Sequence, residues 1–421
     1  MPESRAPTSV DPITDIPGSV RHPLAEPVFR ELWAANVVSN IGTWMQTVGG
    51  AWLMTTLTAD ALPVALMSTA TTLPALLVGL PAGSLADRVD RRRLLLATQA
   101  WMLLCASLLA VLTVLGVVSP WLLLGLTFAL GIGAVVNGPT WSAILPEVVS
   151  RPQVPTAIIM NSAGYNIARA LGPAVGGFVV AVSGPATTFM VNAASFLATL
   201  AVIFRWRPEP SRAGKKSSID ETFVRTIVTG LQYAWRERAQ RIVLARSSIW
   251  MLCASSFWGL VPLVARRQLD LDASGYGLLV TCFGAGAVLG SFALPRLRRR
   301  WPTNVLLIAA IVTFTLMLLV LAWVRIVPLV CAMLGLAGAA WTSTNQNLQI
   351  AVQMRAPRSL QARAISAYLL TFQGGLAIGS ALWGAVAERA GNPLALTFAA
   401  VGLAVGLVAA VRWPVEDQSL D

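Results

Sequence analysis

Histidine is almost missing from this chain: His22 is the single one in 421 residues. A histidine-based catalytic centre or proton relay is therefore excluded from the apolar body of the protein. Charge is also scarce, at 12% of residues, and no acidic residue falls clearly inside an apolar run. Glu31, Asp60, Glu147 and Glu388 stand near run ends. With no acid pair or nucleophile set in those runs, a membrane enzyme is disfavoured. Cys105, Cys253, Cys282 and Cys331 show no CxxC spacing, so they read as packing residues and no metal site or cofactor is expected. No GxxxxGK[ST] phosphate loop occurs, which argues against a nucleotide-driven pump. Residues 1–30 lack the apolar core of a signal peptide and carry Pro2, Pro7, Pro12, Pro17, Pro23 and Pro27; they are expected to form a disordered tail.

What the chain has instead is hydrophobicity. Apolar residues make up 56% of the sequence and the mean hydropathy is +0.67, far too apolar for a soluble domain of this size. A span needs about 20 apolar residues, and runs of that kind occur near 33–55, 62–82, 94–117, 120–142, 156–181, 186–205, 243–264, 273–294, 303–324, 327–349, 361–386 and 392–412. These are spans 1 to 12. The net charge of +12 gathers in short clusters between spans, so it sets orientation and does not indicate a nucleic-acid partner. On one side of the alternating loops only Arg266, Arg267, Arg325 and Arg389 appear. The positive-inside rule then puts both termini in the cytoplasm of a multi-pass cell-membrane protein.

The chain also repeats itself. GSLADRVDRRR at Gly83 to Arg93 returns as GSFALPRLRRR at Gly290 to Arg300, 207 residues later. Trp44, Met45 and Trp52 are matched by Trp250, Met251 and Trp258, and LGIGA at Leu130 by LGLAGA at Leu334. The expected organisation is a tail (1–30), a six-helix bundle (31–205), a cytoplasmic connection (206–242), a second six-helix bundle (243–413) and a short cytoplasmic tail (414–421). Within the connection, Ser218 with Glu221 forms a capping-box pattern ahead of Val224, Ile227, Val228 and Leu231. That pattern predicts an amphipathic helix lying on the inner membrane face or an ordinary solvated one.

A glycine, an acid and an arginine cluster at the water boundary resemble the loop motif joining spans 2 and 3 of the major facilitator superfamily, carried here by Gly83, Asp87, Arg88, Arg91 and Arg92. Asp90 departs from that motif, standing where many members have glycine. GPAVGG at Gly172 to Gly177, with Gly172, Pro173, Gly176 and Gly177, resembles the end of the antiporter motif in span 5, although Ile159 and Ala168 replace its upstream glycines. FRELWAANVVSNIGTWMQTV, LPEVV, NIARALGPAVGG and YLLTFQGGLAIGSALWG together resemble the secretion-effector branch, which includes the enterobactin exporter. The resemblance implies an all-α fold of twelve transmembrane helices in two pseudo-repeats, alternating access, a central cavity built mainly from spans 1, 4, 7 and 10, and a proton as coupling ion.

Candidate cavity residues follow. In span 1, Asn36, Asn40, Thr43 and Gln46 recur at steps of 4, 3 and 3, roughly one helix side. Asn137 and Trp141 come from span 4, Trp250 from span 7, and Trp341 and Asn345 from span 10, with Trp44 joining from span 1. Polar groups are costly against lipid and should face the bundle interior; each tryptophan could equally serve helix packing. Trp33, Trp121, Trp206, Trp301 and Trp413 are read as membrane-boundary residues. Asn161, Tyr165, Arg169, Gly172 and Gly176 share one face of span 5, which puts Arg169 deep in the membrane as a substrate contact or a structural tie. A positive cavity favours neutral or anionic ligands over cations. Asp87 faces the expected start of span 11 after Pro357, with Ser359 as a candidate N-cap, and is expected to latch the halves together with Arg88 and Arg91. The function expected is proton-coupled export of small amphipathic, drug- or siderophore-like molecules by a monomer. A lipid or lysolipid flippase, or an importer of the same fold, is the alternative.

Overall fold

The computed structural model describes residues 22–207, 237–357 and 360–412. Twelve long helices occupy them: α1 Pro27–Leu57, α2 Ala61–Arg88, α3 Arg91–Val114, α4 Pro120–Val148, α5 Val154–Ser183, α6 Pro185–Arg205, α7 Arg238–Leu263, α8 Ala273–Arg298, α9 Thr303–Trp323, α10 Val327–Arg355, α11 Gln361–Ala390 and α12 Asn392–Arg412. No strand occurs among the described residues. Ten candidate spans are long and apolar enough, by length and composition alone, to cross a bilayer. The exceptions have simple causes: α1 is diluted by its asparagines, threonines and Gln46, and the last segment is short, Asn392–Val408. Several helices outrun their apolar runs, as α10 does by reaching Arg355, because a helix can continue into water once its backbone bonds are made.

Local chemistry explains the breaks. Asp90 accepts from the Arg93 amide, Ser119 from Leu122 and Asp272 from Gly275; each cap satisfies an amide that the helix start leaves free. Asp90, the departure from the family loop motif, is thus the N-cap of α3. Gly184 and Gly391 sit at φ +79° and +85°, a left-handed turn open to glycine, and separate α5 from α6 and α11 from α12. They are 207 residues apart, so the sequence repeat is also a repeat of turns.

Packing follows the repeat. In the first half α1 packs on α5 and α6, α2 on α4, and α3 on α4 and α6; in the second, α7 packs on α11 and α12, α8 on α10, and α9 on α10 and α12. The halves meet chiefly through two related pairs, α2 with α11 and α5 with α8, with a smaller contact of α2 on α7. Apart from residues 206 and 207 at one end and 237 to 242 at the other, the central connection lies outside the described residues, as do residues 1–21, Ser359 and Trp413. Of the other tryptophans read as boundary residues, Trp121 and Trp301 are exposed, Trp33 donates to the Met160 carbonyl at 3.0 Å, and Trp206 is buried beside Leu32, Leu95 and Ile203.

Candidate functional site: a central cavity

Both described chain ends fall on one side of the bundle, here the terminal end; the α1–α2 and α7–α8 connections mark the distal end. Contacts between halves concentrate from mid-bundle to the distal end. Gly177 and Gly277 face each other across the α5–α8 seam so closely that a Cβ on Gly177 would come within 2.6 Å of the Ala273 carbonyl oxygen. Glu388 accepts from the Leu62 amide at 3.0 Å, and Thr69 donates to the Ala377 carbonyl at 2.8 Å. After α7 a π turn, Val264–Gln268, brings Arg266 to the Thr55 hydroxyl at 3.1 Å and its guanidinium 5.7 Å from the Trp52 ring centre. Arg267 donates to the Ala59 carbonyl, and Trp52 stacks on Tyr276.

Inside this closure lies a cavity of about 380 Å³, within the range of small-molecule sites. Its walls differ. The first half contributes Asn40, Thr43, Trp44 and Thr47 from α1, Ser68, Thr71 and Thr72 from α2, and Tyr165 and Arg169 from α5. The second contributes Trp258, Val280, Phe283, Gly284, Ala287, Trp341, Phe372 and Leu376. The first wall carries the polar side chains, alongside the Trp44 and Tyr165 rings, and the second is aromatic and apolar. The aromatic wall is continuous: Trp258 lies 5.3 Å from Phe283 and 6.0 Å from Trp341, and Trp341 lies 6.2 Å from Phe372.

Of the expected cavity residues, Asn40, Thr43, Trp44, Arg169 and Trp341 meet here. The others do not. Gln46 is buried and accepts from Asn192 of α6 at 2.6 Å; each step of three residues falls about 60° short of a full helical turn, so the drift carries Gln46 off the face and Thr47 continues it. Asn36 donates to Asn161 at 3.0 Å, and Trp141 donates to the same oxygen at 3.2 Å, beside a crevice of about 10 Å³. Asn137 accepts from Thr98 and Gln99 of α3. Trp250 is 2% exposed and packs against Phe314, while Asn345 is half-buried in α10 outside the lining. No residue of α4 lines the cavity; α2, α5, α8 and α11 do. Trp258 was visible in advance as the repeat partner of Trp52, and the α2 hydroxyls as a run at helical spacing.

Arg169 donates to Asn166 at 3.1 Å through one terminal nitrogen, while its Nε is buried without a partner. Around it the motif glycines divide the work. Gly172 and Gly176 admit Trp44 and Met45 of α1, with notional Cβ contacts of 2.4 and 2.8 Å, and Gly177 admits α8; Pro173 offers its carbonyl oxygen within 2.6 Å of a Cβ on Gly277.

The arginine loop ties up its own half. Arg91 pairs with Glu147 of α4, and Arg92 donates to the Phe204 carbonyl of α6 at 2.6 Å. Asp87 and Arg88 close α2, but their side chains lie outside the described residues, and the N-cap position of α11 is Leu360 in place of Ser359. Gly83 of the loop motif faces open space, whereas its repeat partner Gly290 is pressed against Ala339. No group of metal-ligating side chains gathers among the described residues.

The chain is 25% identical to the multidrug efflux pump Tap of Mycolicibacterium fortuitum over 91% of its own length and 94% of that protein's. It is 25% identical to the staphyloferrin A transporter of Staphylococcus aureus over 61% of this chain and 64% of that one. The solved nucleoside transporter NupG superimposes with a TM-score of 0.73, covering 91% of this chain and 98% of that one at 13% identity, which speaks for the fold alone. The sequence profile of the transmembrane secretion effectors matches residues 19–420, nearly the whole chain, and with the twelve-helix double bundle it places this multi-pass membrane protein among transporters, not enzymes: the chain belongs to the transmembrane secretion effector family of major facilitators.

Proposed function

We propose that the protein exports small amphipathic molecules across the cell membrane by alternating access, working as a monomer of two bundles, residues 31–205 and 243–413. The single observation that carries this reading is the two-faced cavity, polar on one wall and aromatic on the other, which suits a ligand with a polar edge and a flat apolar body. Relatives that are a multidrug efflux pump and a siderophore transporter support it. With both termini cytoplasmic, as the arginine distribution argues, the terminal end faces the cytoplasm and the closed distal end faces outward. The described state is then the loading state. Reorientation would part the α5–α8 seam and bring the cytoplasmic ends of α2 and α11 together. Asp87 would there meet the start of α11, where a helix carries about half a positive charge.

The proton gradient is the energy source to test first, although the lining offers neither carboxylate nor histidine to carry a proton. A cavity of this volume favours a drug-sized molecule over a lysolipid, which keeps the flippase as the alternative outcome. Inverted membrane vesicles energised in turn by a pH gradient and by a membrane potential, challenged with dyes, drugs, siderophores and a lysolipid, decide. Uptake of soluble amphiphiles supports export, and uptake of the lysolipid alone would replace it with flipping.

A further inference from the structure

We infer that the cavity takes amphipathic organic anions, held at Arg169, and that the membrane potential drives their export; the inference rests on the exporter reading and names its substrate class. Charge on the lining is unbalanced. Arg169 is the one lining side chain that is ionised at neutral pH among the described residues, because a guanidinium keeps its proton at any physiological pH and tyrosine does not lose one.

Hydrogen bonding points the same way. Thr43, Thr47, Thr71 and Thr72 donate to carbonyls of their own helices, so these four hydroxyls have their protons engaged. Two buried N–H donors of lining residues have no acceptor, Nε of Arg169 and Nε1 of Trp258. They belong to opposite halves, and both residues border α8: the Arg169 backbone carbonyl lies 3.2 Å from where a Cβ on Gly284 would stand, and the Trp258 ring packs on Phe283. The Arg169 guanidinium is the group on this lining whose charge a sulfonate, carboxylate or phosphate would neutralise. An anionic head there leaves an apolar body to lie along Trp341 and Phe372.

The energetics follow from charge alone. A bound monoanion cancels Arg169, so the loaded carrier reorients as a neutral unit; the empty carrier returns with one positive charge near mid-membrane. Each cycle moves one negative charge outward, which an inside-negative potential favours, and 100 mV corresponds to about 50-fold accumulation. No side chain need change protonation.

The probes are naphthalene-2-sulfonate, a permanent anion, and naphthalene-2-sulfonamide, its neutral counterpart of the same shape. Quenching of tryptophan fluorescence in the purified protein should show roughly tenfold tighter binding of the sulfonate. The preference should vanish in Arg169→Gln and partly survive in Arg169→Lys, with thermal melting confirming that both fold. In inverted vesicles, a valinomycin-clamped potential, positive inside, without a pH gradient should drive sulfonate uptake, and a pH gradient at zero potential should not. Equal binding of the pair, or uptake driven by the pH gradient alone, would overturn the inference while leaving export intact. Failure of the wild-type protein to move either probe or any compound of the wider panel would overturn both.

Discussion

The two halves of this molecule share a sequence repeat, a helix-packing pattern and even a pair of left-handed glycine turns, yet they bring opposite chemistry to the cavity between them. The first half supplies the hydroxyls, the amide and the one charge, together with the Trp44 and Tyr165 rings; the second supplies four aromatic rings and otherwise only apolar residues. Duplication conserves the scaffold because packing glycines and turn positions are set by backbone geometry. Residues facing the cavity answer only to the ligand and are free to diverge. The arginine loop shows the same split: Gly83 faces open space near α2's terminal end, while Gly290 is locked against α10. Only the first copy is placed where a moving partner could arrive.

The strongest way to break the comparison is through neighbouring glycines. Gly176→Leu strikes the Met45 backbone inside the first half and should destabilise the fold by about 1–3 kcal/mol, read as a lower melting temperature in detergent. Gly177→Leu strikes α8 across the seam, so it should abolish most transport or leave vesicles leaky while the halves stay folded. Identical melting losses for both would mean that the seam is not a moving surface. The walls can be separated next. Trp258→Ala should weaken planar substrates about two- to tenfold by loss of ring packing. Thr47→Val should leave them unchanged and affect only ligands that hydrogen-bond. If both variants shift all substrates alike, the walls do not act separately.

Asp87→Asn should lower export by about two- to fivefold, since a charge at a helix terminus is worth about 0.3–1 kcal/mol, with melting unchanged. Normal export by a well-expressed variant removes the latch. The smallest effect belongs to Asp272. The Ser274 hydroxyl and the Gly275 amide hold its carboxyl below the usual range. A depressed folded value stabilises above the unfolded one, near pH 3.9, and that stability is lost as pH falls through the lower folded value. Asp272→Ala should therefore cost up to about 1 kcal/mol at pH 7, and the gap to wild type should narrow when melting is followed down to pH 3.

The fold was largely legible because bilayer-length apolar runs and arginine-rich loops are one-dimensional signals, and so was the duplication. The site was legible only in part. Polar residues on a span face inward, but a bundle has several interiors: Gln46 and Asn137 satisfy their amides against α6 and α3, and Asn36 against α5, none of which spacing alone distinguishes from a cavity. Trp250 and Trp258 are two turns apart on α7, yet the first is core and the second is wall, because Phe314 of α9 covers the first.

The clasp at the distal end has a consequence for how fast the carrier can turn. Arg266 and Arg267 are consecutive, so one irregular turn holds both grips on the first half, and they must let go together. A cation–π contact and two charge-assisted hydrogen bonds at a wet boundary sum to a few kcal/mol, an opening penalty of roughly two to four powers of ten in population. In the alternating-access cycle proposed above, that penalty would set how rarely the distal end opens, which makes the clasp a latch of fixed strength.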